Sequence, residues 1–190
     1  MGIGRDMRRL CAELVGGLDL PAPGPPQELY RALCEAMSHR RGRPVLFRTA
    51  VFPPDTASGL WLDMADRDLV VVEERTAPEH QLVILGHELW HLHAGHHGHH
   101  VGDTDDVCVA TRLLGDDTDP AALQATVRRV AARSRPGPDA TEERQAETFG
   151  LLLASKCRTW LAGSALRGRV QRDDVAGRIG ASLGYPGPQG

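Results

Sequence analysis

Residues 68–94, DLVVVEERTAPEHQLVILGHELWHLHA, change their hydrophobic period halfway along. The first part, Asp68–Glu73, is a short valine-rich run and predicts a strand. From Pro78 onward the apolar residues Leu82, Leu85, Leu89 and Leu92 return in steps of three, four and three, which predicts a helix to about Ala94 with one apolar stripe. On that helix His87-Glu88-Leu89-Trp90-His91 forms an H-E-x-x-H. Residues four apart stack on one helix face, so His87 and His91 can reach one divalent ion, each about 2.1 Å from zinc. Glu88 is rotated from His87 by about 100°. Its carboxylate therefore falls beside the ion rather than on it, where it can take a proton from water and pass it to a leaving amine.

A zinc site of this kind takes a third protein ligand and leaves one position to water. The candidates lie in Thr141-Glu142-Glu143-Arg144-Gln145-Ala146-Glu147, at the start of a second helical pattern. There Ala146, Phe149, Gly150, Leu153, Cys157 and Trp160 form the apolar stripe, and Glu143 lies beside it, one turn before Ala146. Glu147 points further away, and Glu142 sits at the helix start. Glu143 is the expected ligand, with Glu142 and Glu147 as alternatives; acids at a helix N-terminus also favour the helix dipole without any metal. The small residues Ala146 and Gly150 would let this helix approach the H-E-x-x-H helix closely.

Outward from these two helices, residues 5–18 read as an amphipathic helix ended by Gly16-Gly17, PAPGPP at 21–26 as a stiff linker, and 27–38 as a helix with Leu29, Leu33 and Met37 on one face. Residues 44–50, 59–64 and 68–73 read as three strands. A Gly/Asp-rich region, 95–119, leads to a helix at 120–134, a break at 135–138, a long helix to about Leu161 and a last helix at 171–183. The expected fold class is α+β, a small three-stranded sheet with flanking helices. The expected division is an N-terminal helical segment (1–39), a core (40–165), and a C-terminal helix with a loose tail (166–190).

The chain has 190 residues, 41% hydrophobic, 25% charged and 4% aromatic, a balance that excludes a wholly disordered polymer and calls for a core of Leu, Val and Ala. A net charge of −3 argues against a generic nucleic-acid binder. No apolar run approaches the roughly 20 residues of a membrane span. Arg5, Arg8 and Arg9 are followed by no apolar leader segment. Cys11, Cys34, Cys108 and Cys157 form no C-x-x-C pair. These features predict a cytoplasmic protein with reduced thiols and no membrane contact.

HELWHLHAG (87–95) and the later EERQAETFGLLLAS (142–155) together resemble the ImmA/IrrE family of zinc metallopeptidases, and RGRPVLFRTA…SGLWLDMADRDLVVVEE is similar to that family's strand region. The resemblance covers about residues 40–161. It implies a gluzincin-like fold with a zincin-type active-site helix, Zn2+ held by His87, His91 and Glu143, and Glu88 as catalytic base. It also implies a zinc-dependent endopeptidase that cleaves a regulatory protein, typically a helix-turn-helix repressor, in stress responses, mobile elements or toxin–antitoxin systems. The alternative is a zinc-containing partner that antagonises such a regulator without hydrolysis. The chain departs from the family pattern at Glu147 (usually Asn), at Gly150 (usually Ala), and in Ala154-Ser155 where Met-Pro is usual.

Other features carry weaker signals. His93, His96, His97, His99 and His100 extend the histidine run and read first as a solvated loop, with a transition-state donor as the sharper alternative. Tyr30 and Tyr185 are the only tyrosines that could supply an oxyanion donor. The acidic clusters 103–106 and 116–119 read as solvated loops that could face a basic partner, and Arg128, Arg129, Arg133 and Arg135 as an exposed helix face. The strand with Trp61 is a candidate sheet edge for an extended peptide, or ordinary core.

Overall fold

A computed structural model of the chain describes residues 2–54, 57–64, 66–96, 99–100, 121, 124–125, 127–128 and 140–161. Its main elements are α1 (Ile3–Gly16), α2 (Pro26–Arg41), β1 (Val45–Ala50), β2 (Gly59–Asp63), β3 (Asp68–Glu73), α3 (Pro78–Ala94), β4 (His99–His100) and α4 (Ala140–Lys156). The class is α+β, as the hydrophobic periods predict. The acidic clusters, Cys108, Tyr185 and residues 166–190 lie outside the described residues. Of the helix expected at 120–134, residues 121, 124, 125, 127 and 128 are described, and all five are helical.

The sheet order is β1-β3-β2-β4. β3 runs parallel to β1, with Val45 opposite Asp68, and antiparallel to β2, with Gly59 opposite Val72. Every residue of β3 is buried, because both sheet faces are covered. On one face Val45, Phe47, Trp61, Val70 and Val72 join a single apolar cluster with the helices. On the other, Ala50, Leu60, Leu62, Leu69 and Val71 pack with Phe52, Met64 and Val127. A continuous apolar run such as LVVV is the pattern of a strand covered on both faces.

The three expected strands are all present, and two details add to them. The sheet has a fourth, two-residue strand, β4, which pairs parallel to β2 through Leu62–His99 and Asp63–His100. β4 thus covers β2 at Leu62 and Asp63 only, and Gly59–Trp61 have no strand on that side among the described residues. Two histidines carry no hydrophobic alternation, so no period announces them. Trp61 is core: it is 5% exposed and donates its indole N–H to Asp68 Oδ1 at 2.9 Å.

α1 and α2 belong to the same core as the rest. Leu10 and Leu33 are as completely buried as Leu89 and Phe149 and share their cluster; each such side chain stabilises the fold by about 1.5–3 kcal/mol. The α2 terminus is pinned by Asp68, fully buried, which faces Arg41 Nη2 at 3.3 Å and Arg43 Nε at 3.2 Å. Arg41 also donates to the carbonyl of Leu92, near the end of α3, at 3.2 Å. Cys11, Cys34 and Cys157 are free, buried thiols, in keeping with the reading of incidental cysteines. Among the described residues no helix is long and apolar enough to cross a membrane.

What positions the candidate site is the seam between α3 and α4. A Cβ on Gly86 would stand 2.8 Å from the Cα of Gly150, and a Cβ on Gly150 would stand 2.5 Å from the carbonyl oxygen of Val83. The two backbones touch where glycine faces glycine, as the small residues of α4 predicted. Ala146, Phe149, Gly150 and Leu153 form its buried stripe. α4 ends at Lys156 rather than Leu161; a turn at Cys157 interrupts it before helical residues 158–161.

Candidate metal centre

Residues 81–92 of α3 present two different faces. Leu82, Leu85, Leu89 and Leu92 are fully buried, while His87, Glu88 and His91 are half-buried along the helix edge. The opposing seam carries α4 close by, so the first turn of α4 lies over that edge and delivers Glu143. The imidazole nitrogens His87 Nε2 and His91 Nε2 are 3.0 Å apart. Glu143 Oε2 is 3.5 Å from His87 Nε2, and Glu143 Oε1 is 3.6 Å from His91 Nε2.

These separations test whether a metal fits. Two donors at about 2.0–2.1 Å from a tetrahedral zinc stand about 3.3 Å apart. The observed 3.0, 3.5 and 3.6 Å bracket that value. The three donors form the one His/Cys/Asp/Glu group among the described residues with the mutual spacing of a metal site. The residues present could hold a divalent ion; the donor set alone does not name the metal.

The protonation states agree. Burial lowers the pKa of His87 against the opposing charges of Glu143 and Glu147. His91 is lowered to about 4, by burial first and then by His87 and His96. Both rings are thus neutral at neutral pH and keep a lone pair for a cation.

Glu88 is not part of the donor group. It lies toward β2, where its carboxyl accepts a hydrogen bond from the backbone N–H of Trp61. The strand passes so close that a Cβ on Gly59 would stand 2.6 Å from Glu88 Oε1 and 2.5 Å from Ile84 Cγ2. Burial, with the charge of Glu143, raises the Glu88 carboxyl to about 8 in the metal-free protein. A cation held by the neighbouring donors would act in the opposite direction. Between β2, α3 and α4 a cleft opens, walled by Gly59, Val83, Ile84 and Leu151, with Glu88, Glu143 and Glu147 along it.

The structure thus brings together His87, His91 and Glu143, and sets Glu88 beside them. Glu147 is exposed on the cleft wall and Glu142 points elsewhere, so neither alternative completes the donor set. Tyr30 is buried and donates to the carbonyl of Pro78 at 2.7 Å, at the far end of α3, which removes it as an oxyanion donor. The reading of the histidine run as a solvated loop is also corrected in part. His93 lies within α3 and bonds Asp6 Oδ2 at 3.1 Å, while His96 Nδ1 meets His91 Nδ1 at 3.0 Å. Sequence reasoning gave His96 no role in the ligand set. Its signal was a histidine directly after the glycine that ends the H-E-x-x-H helix.

Compared with protein-family models, curated proteins and solved structures, the chain gives no match.

Proposed function

We propose that the protein is a zinc-dependent endopeptidase of the ImmA/IrrE kind, acting in the cytoplasm on a regulatory protein, with a helix-turn-helix repressor as the expected substrate. The observation that carries this reading is the division of labour in the cleft. Three donors converge on one point, while a fourth polar group, Glu88, is held apart from them by β2. A purely structural zinc site closes with four protein ligands and needs no spare carboxylate. When bound, zinc would supply Lewis-acid polarisation of a peptide carbonyl and make water more acidic.

The chain's own residues would do the rest. His87, His91 and Glu143 bind the cation and fix its place at the cleft wall. Glu88 takes the proton of the attacking water and delivers it to the departing amine nitrogen, so no net proton is consumed by the enzyme. The backbone N–H of Trp61 holds the carboxyl in line for both transfers. Val83, Ile84 and Leu151 offer apolar contact to substrate side chains, and Glu147 adds a negative charge suited to the basic surface of a DNA-binding protein.

The test is Glu88→Gln. Zinc-loaded wild-type protein, incubated with the product of the neighbouring gene, should give a discrete fragment. The variant should bind zinc as tightly and cleave about 10²–10⁴-fold more slowly. Equal cleavage by the variant would remove Glu88 from the chemistry. A stable complex with no wild-type cleavage would instead identify a stoichiometric antagonist.

A further inference from the structure

We propose that His96 is a positioning residue of the metal centre, holding His91 in the one tautomer that can serve as a ligand; the inference rests on the metal-binding part of the reading above and not on hydrolysis.

The argument is a chain of proton placements. For His91 Nε2 to offer a lone pair to a cation, the ring proton of His91 must sit on Nδ1. That N–H needs an acceptor. His96 Nδ1 is 3.0 Å away, and the two rings meet edge-on with centroids 5.1 Å apart. Accepting there forces the proton of His96 onto its own Nε2. Glu142 Oε1, an acceptor, lies 3.9 Å from that atom, beyond hydrogen-bond distance. Each nitrogen of the relay then has one assignment. A carboxylate that was an alternative metal ligand in the sequence reading lies one residue further out, behind His96.

The backbone makes this arrangement rigid. Gly95 ends α3 in the left-handed region at φ 70°, which turns the chain back over the last helical turn. The N–H of His96 then donates to the carbonyl of His91 itself at 3.1 Å. His96 is thereby tied to His91 twice, once through the backbone and once through the ring. Its side chain is only 13% exposed. It meets His91 at Nδ1 rather than at the donor atom Nε2, and it is not one of the three donors whose spacing suits a cation. Outer hydrogen bonds to ligating histidines are commonly worth about 10- to 100-fold in metal affinity.

Two substitutions separate this role from simple packing. In asparagine the side-chain oxygen can occupy the place of the imidazole Nδ1, so His96→Asn keeps the acceptor. His96→Leu keeps bulk and removes it. Zinc affinity is measured by chelator competition on the untagged full chain, and ligand number from the visible spectrum of the Co2+ form. The expected result is about 10- to 100-fold weaker zinc binding for His96→Leu, affinity near wild type for His96→Asn, and an unchanged Co2+ ligand count in both. Wild-type affinity in His96→Leu would overturn the proposal. So would equal losses in the two variants, which would indicate packing, or a lost ligand in the Co2+ spectrum, which would make His96 part of the coordination sphere. A wild-type protein that binds no metal would instead overturn the metal reading itself, and with it this inference; failure to cleave any substrate leaves all these readouts in force.

Discussion

His91 and His93 are two residues apart on α3, and each faces a carboxylate, yet the two contacts differ in kind. His93 makes a closed pair: Nε2 meets Asp6 Oδ2 at 3.1 Å, and Arg40 Nε donates to Nδ1 at 3.3 Å. Every polar atom of that ring has a partner, and Asp6 is held below its usual carboxylate range, chiefly by the His93 hydrogen bond. His91 makes an open set. Its Nε2 faces a second imidazole nitrogen at 3.0 Å, where the tautomer decides which ring donates, and a carboxylate oxygen at 3.6 Å. The first geometry satisfies two groups by one proton. The second gathers lone pairs around a point, which costs free energy unless a cation occupies it. The difference separates a tether from a binding site without reference to any motif.

The largest expected effect breaks the open set. His91→Ala should abolish stoichiometric zinc binding while the metal-free protein keeps its helical circular dichroism; retained binding would place the metal elsewhere. A smaller effect sharpens the comparison with a second closed carboxylate, Glu73. It accepts from the Phe52 amide at 3.0 Å and from Arg75 Nη2 at 2.8 Å, and its pKa is lowered to about 2, first by the Arg75 side-chain hydrogen bond. A depressed folded-state pKa means the stabilisation is complete above the unfolded value of 4.5 and is lost as pH falls toward 2. Glu73→Gln should therefore cost about 2 kcal/mol at pH 7 in urea unfolding, with the gap to wild type closing as the pH approaches 2. A gap independent of pH would refute the ionic account. The smallest effect belongs to the surface tether. Asp6→Asn should change stability by about 1 kcal/mol or less and leave zinc affinity unaltered by chelator competition. A change in affinity would mean that the two contacts on α3 are coupled.

Much of this arrangement was legible in the chain. His87, Glu88 and His91 could be placed because helical spacing alone decides which of them share a face. Glu143 could be preferred over Glu142 and Glu147 because the stripe from Ala146 to Leu153 fixes the rotation of α4. The strands were legible from short apolar runs between turn-rich segments, within one residue at every end. What escaped is what no local period encodes. β4 has two residues and no alternation. The partners of His93 and His96 depend on α1 and on the turn after Gly95. The proximity of Gly59 to Glu88 follows from sheet order, which the strand patterns leave open. Gly86 gave no sign in the sequence of its opposite number, Gly150, 64 positions away by subtraction of their numbers.

That glycine pair has a mechanical consequence. Sliding α4 by one residue along α3 would move Glu143 by about 1.5 Å and rotate it by about 100°, scattering the donor set. Where two bare backbones nest, any such slip drives a side chain into a main chain. The contact works as an index notch: it sets the axial alignment of two helices whose connecting stretch can then vary in length, and it does so without contributing a single atom to the chemistry.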